Sequence, residues 1–154
     1  MRLEQSFEIR SDPDRTYAFL LDVNRVAGCI PGISDVEERD PDTFVGSLKV
    51  KVGPISVTYR GTASITSRDP AARQATVSAQ GTEGVGAGRV QAAAVMAVTS
   101  IDTGSLVSMT TDLEIAGRLA QFGRGVIEGV ARRIVDQMAD CIRDQLERAD
   151  QASQ

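Results

Sequence analysis

Leu119-Ala120-Gln121-Phe122-Gly123-Arg124-Gly125-Val126-Ile127-Glu128-Gly129-Val130-Ala131-Arg132-Arg133-Ile134-Val135-Asp136-Gln137-Met138-Ala139-Asp140-Cys141-Ile142-Arg143-Asp144-Gln145-Leu146 is the stretch on which the fold turns. Leu119, Phe122, Val126, Val130, Ile134, Met138, Cys141 or Ile142, and Leu146 recur every three or four residues, the period of one long amphipathic helix. Arg124, Glu128, Arg132, Arg133, Asp136, Asp140, Arg143 and Asp144 fall on the opposite side and read as a solvated face. A helix with one apolar stripe needs an apolar surface to cover, and the residues before it supply one.

Upstream, the period is two. Alternation marks strands over Arg2–Arg10, Asp35–Arg39, Thr43–Val52, Ile55–Ser67, Gln74–Gly81, Gly88–Ile101 and Leu106–Ala116. From Asp35 onward they are separated by turn formers: Asp40-Pro41-Asp42, Gly53-Pro54, Asp69-Pro70, Gly84-Val85-Gly86 and Asp102-Thr103-Gly104. Hairpin following hairpin implies an antiparallel sheet. After the first strand, Ser11-Asp12-Pro13-Asp14 offers a cap and a first-turn proline for a helix over 14–22. Asn24–Ile33, with Gly28, Pro31 and Gly32, reads as a short helical turn running into an irregular loop. The expected class is α+β, one domain over 1–148, with the terminal helix lying across one sheet face and a disordered tail over 149–154.

The chain has 154 residues, 42% hydrophobic and 25% charged, ordinary for a globular domain large enough for one substantial core. A net charge of -4 argues against a phosphate-tracking surface, so nucleic acid is not an expected partner. No apolar run reaches the roughly 20 residues of a spanning helix and the start does not resemble a signal peptide, so a cytoplasmic location is expected. Histidine is absent, which removes the commonest general base and transition-metal ligand together. Cys29 and Cys141 fit no metal or redox spacing and are expected to be reduced thiols. No metal site or cofactor is expected.

Several motifs together resemble the CoxG family, named for the CoxG component of carbon monoxide dehydrogenase, within the START-like helix-grip (SRPBCC) superfamily. They are Cys29-Ile30-Pro31-Gly32, Phe44-Val45-Gly46, Lys49-Val50-Lys51-Val52-Gly53-Pro54-Ile55 with Tyr59-Arg60-Gly61, Ala79-Gln80-Gly81, and Gly117-Arg118-Leu119-Ala120-Gln121-Phe122-Gly123-Arg124. The resemblance implies a curved seven-stranded antiparallel sheet wrapped around the long helix, two short helices after strand one, and an apolar cavity between sheet and helix. It also implies service to a molybdenum hydroxylase of the carbon monoxide dehydrogenase type, by carrying a quinone or lipid or by recruiting the enzyme to the membrane. Many members carry an apolar C-terminal extension, whereas this sequence stops soon after its helix. That argues against direct anchoring and leaves transient contact with the inner membrane face as the expectation.

On the sheet face turned toward the helix, alternation places Leu48, Val50, Val57, Tyr59, Gly61, Ala63, Val77, Ala79, Gly81, Val90, Ala92, Ala94, Met96, Val98, Val107, Met109, Thr111 and Leu113. None is charged, and only Tyr59 and Thr111 are polar, so the face suits binding better than proton transfer. Its small side chains, opposite Gly123, Gly125 and Gly129, mean either close backbone packing or a filled cavity. The expected ligand-binding residues are Ile30, Ile33, Leu48, Val57, Tyr59, Ala63, Ala79, Ala92, Ala94, Met96, Met109, Phe122, Val126 and Val130, with no catalytic residue. Met96, Met109 and Met138 read as an adaptable wall or as plain core. Phe122 reads as a gate or an anchor, and the Cys29–Gly32 loop as the lip of an opening or a tight turn.

Gly81-Thr82-Glu83-Gly84-Val85-Gly86-Ala87-Gly88 opens into a strand pattern, not a helix, so it reads as a hairpin loop rather than a phosphate cradle. Asp35, Glu37 and Glu38 match no calcium loop and read as surface charge. The function expected first is a non-catalytic carrier of an apolar molecule. A docking, membrane-recruitment or maturation factor without ligand comes second, and an enzyme using Tyr59 or an acid at the mouth third.

Overall fold

The computed structural model describes residues 1–84 and 88–152, the side chains of 149–152 excepted. Its elements run β1 Arg2–Ile9, α1 Pro13–Leu21, α2 Val23–Ala27, β2 Ile33–Asp40, β3 Thr43–Val52, β4 Ile55–Asp69, β5 Gln74–Glu83, β6 Arg89–Ile101, β7 Gly104–Ala116, a 3-10 turn Arg118–Gln121, and α3 Arg124–Ala152. The strands form one antiparallel sheet in the order β1-β7-β6-β5-β4-β3-β2. This is the helix-grip arrangement expected, with α1 and α2 linking the two edge strands.

Local chemistry accounts for the turns. Asp12 caps α1, its Oδ1 accepting from Arg15 N at 2.9 Å, and Pro13 fills the first helical position. Asp22 ends α1 and caps α2 in the same way. Val52 pairs Ile55, so Gly53-Pro54 closes the hairpin in two residues, with Gly53 at φ +59 supplying the left-handed conformation. The glycine-rich run expected as a hairpin loop does join β5 to β6, although 85–87 lie outside the described residues.

The terminal helix differs from its expected form in one respect that matters. The chain is not helical from Leu119 onward: after the 3-10 turn, Phe122 is extended at φ -79, ψ 141, and α3 begins only at Arg124. The apolar phase is reset by that break. Among the described side chains of α3 the buried ones are Ile127, Val135, Ala139, Ile142 and Leu146, whereas Val130, Ile134 and Met138 are half-buried and Val126 is 45% exposed. A stripe counted from Leu119 and Phe122 runs across that joint, lies one residue early at Val126, Ile134 and Met138, and meets the buried positions again at Ile142 and Leu146. At its other end the helical backbone continues through Ala152, into the stretch expected to be disordered.

Two apolar clusters hold α3 to the sheet. Val135, Ala139, Ile142 and Leu146 pack with Phe7 and Ile9 of β1, Val98 of β6, Val107 of β7, and Phe19 and Leu20 of α1. Nearer the start of the helix, Leu119 of the 3-10 turn packs with Val52, Val57 and Tyr59 at the β3–β4 end, joined by Phe122 and Val130. The expectation of reduced thiols is overturned: Cys29 and Cys141 form a disulfide across 112 positions, with a Cα–Cα distance of 5.4 Å. Sequence spacing carries no sign of it, because the loop and the helix meet only in the folded molecule.

Candidate functional site

Between α2, the loop after it and the inner face of the sheet lies a cavity of about 360 Å³. Its floor is a row of small residues in cross-strand register. Ala63 of β4 pairs Ala79 of β5, Ala79 pairs Ala92 of β6, and Ala92 pairs Leu113 of β7. Alongside runs a row of glycines, Gly46 against Gly61 and Gly61 against Gly81. At Gly61 a Cβ would overlap the Gln80 carbonyl, so the backbones of β4 and β5 approach more closely there than any side chain permits. Removing side chains along this line leaves the space open above it.

The other walls are Val23 and Ala27 of α2, Ile30, Ile33 at the start of β2, Val36, Phe44 and Leu48. Among the described residues, no Asp, Glu, Lys or Arg lines it. Many of the apolar ones, including Ile30, Ile33, Val36, Leu48, Ala63, Ala79, Ala92 and Leu113, are only half-buried. They are unburied hydrophobic surface on a concave wall, which a ligand would cover at about 25 cal/mol per Å².

Of the residues expected from the sequence, Ile30, Ile33, Leu48, Tyr59, Ala63, Ala79 and Ala92 line this cavity together. Val57, Phe122 and Val130 instead belong to the packed cluster at the β3–β4 end, and Met109 packs against the larger core. Ala94 and Met96 lie further along β6, opposite Val77 and Ala75, and Val126 is exposed. The wall expected from the first half of the long helix is supplied by α2 and the loop. Sequence reading passed over Val23, Ala27, Val36 and Phe44. The signal at the first two was the i, i+4 spacing of Val23 and Ala27, too short a run to stand out.

It also passed over a charge on the inner face. β5 runs two residues further than expected, placing Glu83 directly opposite Tyr59. The Glu83 carboxylate accepts a hydrogen bond from Arg118 Nη2, in an ion pair whose acid is 11% exposed. Burial first, then the charge of Glu83, push the Tyr59 phenol above its ordinary pKa, against the opposing influence of Arg118. Tyr59 therefore stays protonated near neutrality and can donate a hydrogen bond but not act as a base or phenolate nucleophile. Thr111, the second polar handle, is half-buried opposite Leu3 and Ala94 and does not line the cavity.

Among the described residues no group of three or more His, Cys, Asp or Glu side chains could hold a metal ion. No described helix is long and apolar enough to cross a membrane. A larger cleft of about 680 Å³ is lined by Arg60, Gln80, Thr82, Arg89, Gln91 and Glu114 among others. Its charged and amide groups make it an ordinary solvated surface.

A conserved protein from Geobacillus kaustophilus superposes with a TM-score of 0.86 at 20% identity, covering 97% of each chain. The Zhui aromatase/cyclase from Streptomyces sp. R1128 gives a TM-score of 0.68 at 18% identity, covering 96% of this chain and 94% of its own. A START superfamily protein from Mycobacterium smegmatis gives 0.68 at 9% identity, over 96% and 98%. At these identities the likeness is one of fold. No curated protein matches in sequence. The family model for CoxG of carbon monoxide dehydrogenase matches residues 6–147, which is nearly the whole chain, so the protein belongs to the CoxG family within the START-like helix-grip superfamily.

Proposed function

We propose that the protein is a non-catalytic carrier that holds an apolar molecule, a quinone or lipid, in the cavity under α2 and the following loop. The observation that carries this reading is the concave, half-exposed wall without a charged side chain. Its volume lies at the lower end of the roughly 300–1,000 Å³ typical of small-molecule sites. Ile30, Ile33, Leu48, Tyr59, Ala63, Ala79 and Ala92 contact the ligand, with Tyr59 the one titratable group at the wall. Membership of the CoxG family supports a molybdenum hydroxylase of the carbon monoxide dehydrogenase type as the enzyme served. The carrier works in the cytoplasm and touches the inner membrane face transiently to load or unload.

The test is solvent extraction of natively purified protein followed by mass spectrometry, then thermal denaturation with candidate quinones and lipids. A ligand that binds only the native state, present at about 100 times its Kd, adds about 2.7 kcal/mol to its stability. Ala79→Phe, at the centre of the floor, should abolish that shift while leaving the unliganded protein folded. If no organic molecule is extracted and no quinone or lipid moves the transition, the carrier reading gives way to a docking or maturation factor without ligand.

A further inference from the structure

The disulfide belongs to the edge of the larger packed cluster, and its Cys29 end is next in the chain to residues that line the cavity. Cys29 lies between Ala27 on one side and Ile30 and Ile33 on the other, and all three of these line the cavity. Its partner, Cys141, is on α3 beside Ala139 and Ile142, which are 1% and 0% exposed. One end of the bond is thus on the lip and the other on the most firmly packed part of the helix. The backbone hydrogen bonds of the lip are local: Cys29 N donates to Val26 O at 2.8 Å, Ile30 N to Ala27 O at 3.2 Å and Ile33 N to Ile30 O at 3.4 Å. The sheet takes hold at Gly32, whose carbonyl accepts from Lys49 N at 2.9 Å.

We propose that the Cys29–Cys141 disulfide is a redox-controlled clasp on the cavity lip: oxidised, it pins residues 28–31 to α3 and slows ligand exchange; reduced, it releases the lip and speeds it. The proposal rests on the reading of the cavity as a ligand site and concerns its regulation. The chemistry needs a dithiol reductant, the class that keeps cytoplasmic thiols reduced. Cys29 is buried and Cys141 half-buried, so the attacking thiolate reaches Cys141 Sγ. A mixed disulfide forms there, the Cys29–Cys141 bond breaks, and Cys29 Sγ leaves as a thiolate that then takes up a proton. The reductant's second thiol attacks its own sulfur in the mixed disulfide and releases Cys141 as a thiol. The protein gains two electrons and two protons, and the dithiol becomes a disulfide. Gln145 Nε2 stands 3.5 Å from Cys29 Sγ and 3.7 Å from Cys141 Sγ, placed to donate to the departing thiolate.

The experiment compares oxidised protein, dithiothreitol-reduced protein and the Cys29→Ser/Cys141→Ser variant in two measurements. Amide hydrogen exchange follows Cys29, Ile30 and Ile33 against Val98 and Val107 of the core. Stopped-flow displacement follows release of the neutral apolar fluorophore N-phenyl-1-naphthylamine. Lip exchange and probe release should both rise about tenfold on reduction and in the variant, with the core amides still protected. Unchanged lip exchange, lip exchange that rises without faster release of a bound probe, or loss of protection throughout the core would each overturn the clasp. A probe that binds neither form would count against the container reading and with it the control of exchange, and lip exchange that still rises would then leave only a redox-sensitive loop.

Discussion

Tyr59 couples the cavity wall to the ion pair of Glu83 and Arg118, and its raised pKa has a consequence for stability. The folded state keeps its proton above the ordinary phenol value of about 10, where the unfolded chain has begun to lose it. The native state then binds more protons than the unfolded one, so stability is intact below that pH and falls as pH rises through it. Denaturant titrations at about pH 9 and 11 should show a loss in the wild type that Tyr59→Phe reduces. In a Tyr17→Phe variant Tyr59 is the one phenol left, and its ultraviolet absorbance should titrate above about 10. Gly61 makes the complementary case, where a missing atom is the functional feature. A Cβ there meets backbone, which cannot rotate away, so Gly61→Ala should cost about 3 kcal/mol in denaturant unfolding. A glycine inside a strand is visible in the sequence, but the glycine row Gly46, Gly61, Gly81 exists only once the register is known.

At the scale of elements, α3 shows why a strong periodicity can be right about type and wrong about phase. Helical spacing over Val126 to Leu146 was legible, and so were the seven strands, because two-residue alternation and turn formers are local signals. The joint at Phe122-Gly123 was not, since Leu119 and Phe122 happen to extend the same three-and-four spacing across it. The corrected phase is testable. Val135→Asp puts an unpaired charge at a buried position off the stripe read from the sequence and should unfold the domain, seen as loss of the cooperative transition in circular dichroism. Val126→Asp, on the stripe read from the sequence but largely exposed, should change stability by no more than about 0.5 kcal/mol. The reverse ranking would restore the phase counted from Leu119 and Phe122. The same logic explains the cavity wall: the sheet half of it follows from alternation and was foreseen at Tyr59, Ala63, Ala79 and Ala92, whereas the α2 half depends on how a five-residue helix closes over the sheet.

For the molecule as a whole, α3 rests on two clusters, one at each end of the sheet's concave side, and the cavity lies toward the β2–β6 side with α2 and the lip over it. Such an arrangement leaves apolar surface uncovered beside a packed core, and something must keep the lid elements from collapsing inward or drifting away. The disulfide does this, and by the chain-entropy account it acts largely on the unfolded chain. Closing a loop of 112 positions removes conformational freedom equivalent to about 4.7 kcal/mol by the chain-entropy argument, and residual structure in the unfolded chain lowers that figure. For a domain of this size each kcal/mol moves Tm by about 2–4 °C, so reduction should lower Tm by about 10 °C in calorimetry run with and without dithiothreitol. Because Val135, Ala139, Ile142 and Leu146 keep their other partners in the larger cluster when the bond is cut, the reduced protein should still unfold in one transition, with calorimetric and van't Hoff enthalpies equal. Two separated transitions after reduction would mean that α2 and the lip had become a unit of their own, no longer folded together with the sheet and α3.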